Sequence, residues 1–528
     1  MNGKISTYIQ SFINHNAKRI QNISTPIIII TILGLLVRLG YVIAYPLVWK
    51  MAAVFNVFEL GLVNYISDFA GYKPSRMPFF DAFSAPFYSI FSPFFSVDSL
   101  VLFNVLLSIV AIPAFYLAIE QLWSQKIAIP ASLLFALYPK YVTMTSTGLP
   151  EAAAISFLAF TVYAFTRARS SGRLQVYFIT GIFAMLAYTM FVPAVAVGVL
   201  LTGFIYFVDI RARLENNRGL KSLLPSARLT TFASTPATVG VAYLLFGPVS
   251  KTLDATSGQN ISVFTSPEAY SLIEKMFWYL VYTFFDFWWH TRGFDRERGI
   301  RPLIESLQDF TQPLFPVYLL GWTVITLTIT AMMIIGLKKI VTRRKELDLL
   351  IVCWIITYIS VYNFKNLGWV GGFQTRHISP VFIPLCLTFG IGVQLLSQSV
   401  KEIDLKTEKY IRTTYIRKIS PDTSTIVTGA FFLGLMVLLF NGVGQGVIEQ
   451  QKAEADTIEP VNEVSDIVDK NETVAVVWTR NLYNLVLYSE NKIRPKLLVD
   501  SEQSRIQSEG RLRNTAKIEQ ISDPLLRD

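Results

Sequence analysis

The sequence predicts an all-α polytopic membrane protein with a small α/β domain at its C-terminal end. Three observations carry this. Apolar runs of about 20 residues, the length that spans a bilayer, recur from residue 26 to residue 442. Hydrophobic residues make up 52% of the 528 positions and charged residues only 16%, against about 25% charged in a soluble domain. From residue 443 onward charges are spread throughout and the apolar runs stop. The mean hydropathy of +0.44 agrees.

Taken in order, the runs place about eleven spans, at 26–46, 98–118, 127–145, 150–167, 174–190, 192–208, 229–247, 313–337, 349–363, 379–397 and 423–442. Pro193 marks the break between the fifth and sixth. Residues 1–25 contain Lys4, Lys18 and Arg19 and no acid. The first span lies too deep, and lacks a small-residue cleavage site, for a removable signal peptide; it reads as a retained anchor.

The basic residues set the expected orientation. Arg167, Arg169 and Arg173, then Arg211 to Arg228, then Lys338 to Lys345, then Lys401 to Lys418 fall in alternate loops, on the side of the N-terminus. Cytoplasmic loops carry such an excess, so the N-terminus is expected inside and, with eleven spans, the C-terminus outside. The same loops account for the formal charge of +10 and the pI near 9.3. Basic loops beside anionic lipid explain this pattern without nucleic-acid binding. Cys353 and Cys386 lie within spans and predict no disulfide. Three histidines without a Cys/His cluster speak against a structural zinc site, and no cofactor is expected.

The transmembrane domain, 26–442, carries two long outer segments. The first, 47–97, is aromatic and amphipathic. The second, 248–312, holds Phe-Trp-Tyr and Phe-Asp-Phe-Trp-Trp-His stretches and then Arg292, Arg296, Arg298 and Arg301. The tail, 443–528, alternates a helix near 447–469, a strand Thr473–Trp478, a helix near 481–489 and a strand Arg494–Val499, long enough for a small docked domain. Its last 25 residues read as loosely ordered. There is no internal repeat.

Acids and bases at the outer ends of the spans are the candidate chemistry, because charges beside hydrocarbon are costly and are kept mainly where they work. In a helix over 50–69, Asn56, Glu59 and Ser67 share an arc of about 80° on an otherwise apolar surface. Asp68 points to the opposite face unless the helix breaks at Gly61. A carboxylate there can take a proton from a hydroxyl acceptor. Glu151 follows Pro150 at the head of a span, where it also makes a good helix start. Arg376-His377 stands at the outer start of another span. An Arg there can hold a phosphate with paired donors, or snorkel to headgroups. The Arg292–Arg301 cluster, mixed with Asp295, Glu297 and Glu305, reads as a solvated loop. Arg38 lies inside the first span, in its outer half, and is expected to face protein or a polar cavity.

This arrangement resembles the membrane glycosyltransferases of the C-type (GT-C) fold, in particular protein mannosyltransferases and aminoarabinose transferases. The shared features are Arg38 in the first span, the acidic Glu59 opening a loop helix, Gly71, the Arg76-Met-Pro78 segment, Ala136-Leu-Tyr-Pro139, Pro150-Glu151 and Arg376-His377, in that order and on one side. A small outer C-terminal domain is common there too. The chain departs from the family in having Phe58-Glu59 where an Asp, often Asp-Glu, is usual, so Asp68 and Asp81 stay open as alternatives for the base. It has no Asp-x-Asp pair and no Trp-Trp-Asp-Tyr-Gly, which argues against transfer of a whole glycan to Asn.

The resemblance implies a GT-C enzyme that moves one sugar, a mannose or another hexose, from a polyprenyl or dolichyl phosphate carrier. The acceptor would be a glycan, lipid-linked glycan or glycoprotein on the outer face of the cell membrane. Glu59 would deprotonate the acceptor. Arg376 and His377, with Arg76 or Arg38, would neutralise the leaving phosphate, and Glu151 would orient sugar or acceptor. No metal is implied. An archaeal dolichol-phosphate-mannose mannosyltransferase fits this layout, and so does a bacterial undecaprenyl-dependent enzyme. The competing class is a lipid-linked-sugar flippase or other transporter, which would show repeated halves and charges near the midplane.

Overall fold

The computed structural model describes residues 25–44, 101–146, 148–191, 194–215, 224–235, 315–366 and 379–410, isolated positions at 87, 90, 91, 94 and 429, and the strands 473–476, 494–499 and 517–520. Ten helices follow in chain order among the described residues. They are α1 (Thr25–Ala44), α2 (Leu102–Leu122), α3 (Gln125–Leu137), α4 (Pro139–Ser146), α5 (Pro150–Ser171), α6 (Leu174–Met190), α7 (Val195–Glu215), α8 (Phe315–Arg343), α9 (Glu346–Asn366) and α10 (Phe382–Tyr410). Residues 227–235 are also helical. Among the described residues, four helices, at Thr25–Ile43, Leu102–Leu122, Val195–Glu215 and Ser379–Ser399, are long and apolar enough to cross a membrane.

The apolar runs and the helices agree closely, with one difference. The stretch expected as a single span over 127–145 is two helices, α3 and α4, parted at Tyr138, whose backbone is extended (φ −62°, ψ 116°). A residue before proline is pushed out of the helical region by the proline ring, and Pro139 follows. The chain therefore turns at the very Leu-Tyr-Pro that the sequence singles out. At the fifth and sixth spans the break comes as expected, between Met190 and Val195. Of the expected spans, most of 229–247 and nearly all of 423–442 lie outside the described residues.

The helices form a bundle in which α5 packs along α2 and α6, and α10 runs between α8 and α3. Small residues allow this. A Cβ on Gly392 would fall 2.0 Å from the Met332 carbonyl oxygen, one on Gly336 1.8 Å from that of Thr388, and one on Gly390 2.6 Å from that of Ile127. Two residues apart on a helix, Gly390 and Gly392 face opposite directions. One lets α3 approach α10 and the other lets α8 approach it. Between apolar helices in lipid, such backbone contact is a main source of packing energy.

In the tail, β1 (Thr473–Val476), β2 (Arg494–Val499) and β3 (Lys517–Gln520) form a three-stranded parallel sheet in that order. β1 and β2 fall where the sequence places strands. β3 falls within the last 25 residues, read from sequence as loosely ordered, whose other residues lie outside the described ones. Parallel neighbours need a crossover connection, and the helix expected at 481–489 is in the right interval, although it and 447–469 lie outside the described residues.

Candidate functional site

The bundle has two chemically different ends. At one, the basic ends of several helices meet. Arg169 near the end of α5 and Arg211 on α7 both reach Glu346, the first residue of α9, at 3.2 and 3.3 Å. Gln121 on α2 donates to Ser170 on α5 at 3.0 Å. Arg343 clasps Asp348 with two nitrogens, Nε to Oδ2 at 2.7 Å and Nη2 to Oδ1 at 2.6 Å. That carboxylate raises the Arg343 guanidinium above its ordinary pKa. These contacts bring Arg169, Arg211 and Arg343, from three of the basic stretches, to one end of the bundle.

The opposite ends of the same helices carry the candidate site. Arg38, at 0% exposure, lies against α3 and α4. Its Nη1 donates to the carbonyls of Gly34 at 3.0 Å and Ala136 at 2.7 Å. Its guanidinium carbon stands 5.0 Å above the Tyr141 ring, in cation–π range. Its Nε and Nη2 are buried with no hydrogen-bond partner among the described residues. Arg38 thus faces protein, as expected of an arginine inside a span.

Tyr141 is held in turn. Its hydroxyl shares a 2.7 Å hydrogen bond with Ser156, and Ser156 donates to the Ala152 carbonyl at 2.9 Å, one residue beyond Glu151. Phe382, the first residue of α10, stacks on Tyr138 at 4.3 Å and lies 5.6 Å from Phe135 and 5.8 Å from Tyr141. These rings join α3, α4 and α10 beneath the arginine.

Glu151 is 2% exposed, in the first turn of α5. The turn before it is built by Gly148, whose φ of 69° is a left-handed conformation that glycine adopts without steric cost. The Leu149 amide donates back to Met144 at 2.9 Å. From α2, Asn104 donates its Nδ2 to the Leu149 carbonyl at 2.9 Å. Ser146, at the other end of the turn, donates to the Val142 carbonyl at 3.0 Å and lies 3.4 Å from the Arg38 carbonyl. The 146–149 turn therefore ties the helix of Arg38 to the head of the helix of Glu151.

Of the residues singled out from sequence, the structure brings Arg38 and Glu151 to one end of the bundle. Glu59, Asp68, Arg76, Asp81, Arg376 and His377 lie outside the described residues. Asn104, Tyr141 and Ser156 were not read as site residues. The signal available for Asn104 is a lone amide in the first turn of a long apolar span. Among the described residues, no three or more His, Cys, Asp or Glu side chains gather as metal ligands would.

Residues 73–245 match the sequence family described as dolichyl-phosphate-mannose-protein mannosyltransferase. The fold is shared with ArnT from Cupriavidus metallidurans, solved with undecaprenyl phosphate, at a TM-score of 0.54 and 10% identity over 93% of this chain and 89% of that one. The apo form of ArnT gives 0.53 at 11% identity, with the same coverage. The archaeal oligosaccharyltransferase AglB from Archaeoglobus fulgidus, in complex with an inhibitory peptide and a dolichol-phosphate, gives 0.50 at 11% identity over 88% of this chain. The chain spans 64% of the length of AglB. No curated protein matches the sequence. By its fold this is a membrane protein of the GT-C architecture, and residues 73–245 are similar to the dolichyl-phosphate-mannose-protein mannosyltransferase family.

Proposed function

We propose that the protein transfers a single hexose, mannose in the first instance, from a dolichyl or other polyprenyl phosphate to a hydroxyl of a glycan or glycoprotein on the outer face of the membrane. The observation that carries this is Arg38. A fully buried guanidinium with two nitrogens unpartnered among the described residues is suited to an anion that arrives with the substrate. A phosphate, whose oxygens accept paired N–H donors, fits that geometry. Glu151 at the same end of the bundle supplies the carboxyl group expected to orient sugar or acceptor.

In this reading the acceptor oxygen attacks the anomeric carbon as the bond from that carbon to the phosphate oxygen breaks, with inversion. The acceptor proton passes to Glu59, with Asp68 and Asp81 as the alternative bases. The polyprenyl phosphate leaves with its negative charge met by Arg38, Arg376, His377 and Arg76. Preorganised donors aimed at developing charge are the largest single catalytic contribution in many enzymes. The outer segment 47–97 supplies Glu59, Asp68, Arg76 and Asp81, Arg376 and His377 come from the chain before α10, and the tail 443–528 forms a small α/β domain on the same face.

The test is transfer of radiolabelled sugar from dolichyl-phosphate mannose and from undecaprenyl-phosphate sugars in membranes containing the protein. Label should enter an acceptor glycan or glycoprotein, and Glu59→Gln should abolish this while leaving the protein folded in the membrane. Normal turnover in Glu59→Gln with loss in Asp68→Asn or Asp81→Asn would move the base to that residue. Movement of intact lipid-linked sugar across the bilayer without transfer would replace the reading with that of a flippase.

A further inference from the structure

Asn104 presents a second unsatisfied group at this end of the bundle, of opposite sense to that of Arg38. It is 1% exposed in the first turn of α2. Its Nδ2 is committed to the Leu149 carbonyl at 2.9 Å. A carbonyl can only accept, so the amide nitrogen must face it, and this fixes the direction of the side-chain oxygen. That Oδ1 is buried with no donor to it among the described residues. A buried amide oxygen left without a donor keeps the desolvation cost of burial uncompensated, so the site asks for a donor.

The turn at 146–149 links the two groups. Asn104 holds its last carbonyl, at Leu149, and the Ser146 hydroxyl at its start lies 3.4 Å from the Arg38 carbonyl. A buried cation and a buried neutral acceptor at one end of the bundle match a ligand with an anion at one point and a hydroxyl at another. Arginine answers the phosphate. A side-chain amide oxygen answers a hydroxyl, since it would repel phosphate oxygens.

We infer that Asn104 determines sugar specificity: its Oδ1 accepts a hydrogen bond from a ring hydroxyl of the hexose carried on the polyprenyl phosphate, while its Nδ2 holds the head of α5 in place. The inference rests on the transferase reading proposed above and adds to it a residue that contacts the donor sugar.

The experiment is a cycle between side chain and substrate. Initial rates are measured in membranes for wild type, Asn104→Leu and Asn104→Asp. The donors are dolichyl-phosphate mannose and its 2-, 3-, 4- and 6-deoxy analogues. Each result is the ratio of deoxy to parent donor within one variant, which does not depend on how much folded protein is present. In wild type, removal of the hydroxyl that meets Asn104 should lower the rate about tenfold, the effect of one lost hydrogen bond of about 1.4 kcal/mol. In Asn104→Leu that one penalty should vanish and the other three should remain. Asn104→Asp keeps an acceptor oxygen and loses the donor to Leu149, so it should retain the penalty at a lower overall rate. If Asn104→Leu does not accumulate, Asn104→Ser, too short to span both partners, is read in its place with the same expectation. Unchanged ratios at all four positions would overturn the inference and leave Asn104 as a clamp on Leu149 alone. No transfer by wild type from dolichyl-phosphate mannose would overturn the donor reading, and this inference with it.

Discussion

A guanidinium buried in an apolar bundle must find acceptors or counter-charge, and Arg38 has found two carbonyls and the face of Tyr141. Burying a charge without a paired partner is destabilising, and replacing it with an apolar side chain of similar volume is often neutral or stabilising. Stability and activity should therefore separate here. Arg38→Met is expected to leave the thermal midpoint of detergent-solubilised protein unchanged or raised. Its transfer rate should fall by roughly 10²–10³, as when a charge-stabilising donor is removed. A midpoint lowered by several degrees with the rate retained would make Arg38 structural. At Tyr141, the Phe variant keeps the ring beneath Arg38 and removes the bond to Ser156, which still donates to Ala152. It should cost about 1 kcal/mol of stability, as a single buried hydrogen bond does, seen as a modest drop in the same midpoint.

At the scale of elements, the site is held by helices that approach to backbone contact. α10 lies between α3 and α8 because Gly390 and Gly392 leave room on its two sides. Gly392→Ala should be damaging although alanine is the better helix former. Its Cβ would sit 2.0 Å from the Met332 oxygen, a backbone atom that no side-chain rotation can move away. Separating α8 from α10 should lower stability by at least about 1–3 kcal/mol, the usual cost of overpacking. Gly198 on α7, with nothing within 4 Å of an added Cβ, is the control and should tolerate alanine. A normal midpoint in Gly392→Ala would mean that the α8–α10 contact can widen freely. The α3–α4 break matters in the same way. By ending one helix at Tyr138, it turns α4 across the end of α1 and brings Tyr141 beneath Arg38.

Over the whole molecule, one end gathers the ion pairs of Arg169, Arg211, Glu346, Arg343 and Asp348, and the other gathers Arg38, Asn104 and Glu151. Cytoplasmic loops attract lysine and arginine, so the first end is expected inside and the site outside, together with the C-terminal sheet. A reporter fused after Asp528 that is active only outside the cytoplasm should give signal. One active only inside should not, and signal from the latter would place every candidate site residue in the wrong compartment.

The described helices and two of the three tail strands could be read from the sequence because hydropathy and strand pattern are properties of neighbouring residues. Arg38 and Glu151 could be singled out for the same reason: a charge in or beside an apolar run is visible in one dimension. The partners of these residues could not. Arg38 meets the carbonyl of Ala136, and Asn104 that of Leu149, through contacts between different helices that no periodicity announces. The hydroxyl pair of Tyr141 and Ser156 had no sequence signal, since serines and tyrosines in spans are common and only packing tells which of them meet. The third strand was missed because four residues, Lys517–Gln520, are too few to show an alternation, and pairing with β2 decides their conformation. Local chemistry thus determined the elements and the ends to which charge goes, and tertiary packing alone decided which buried polar atoms were satisfied and which were left facing the site.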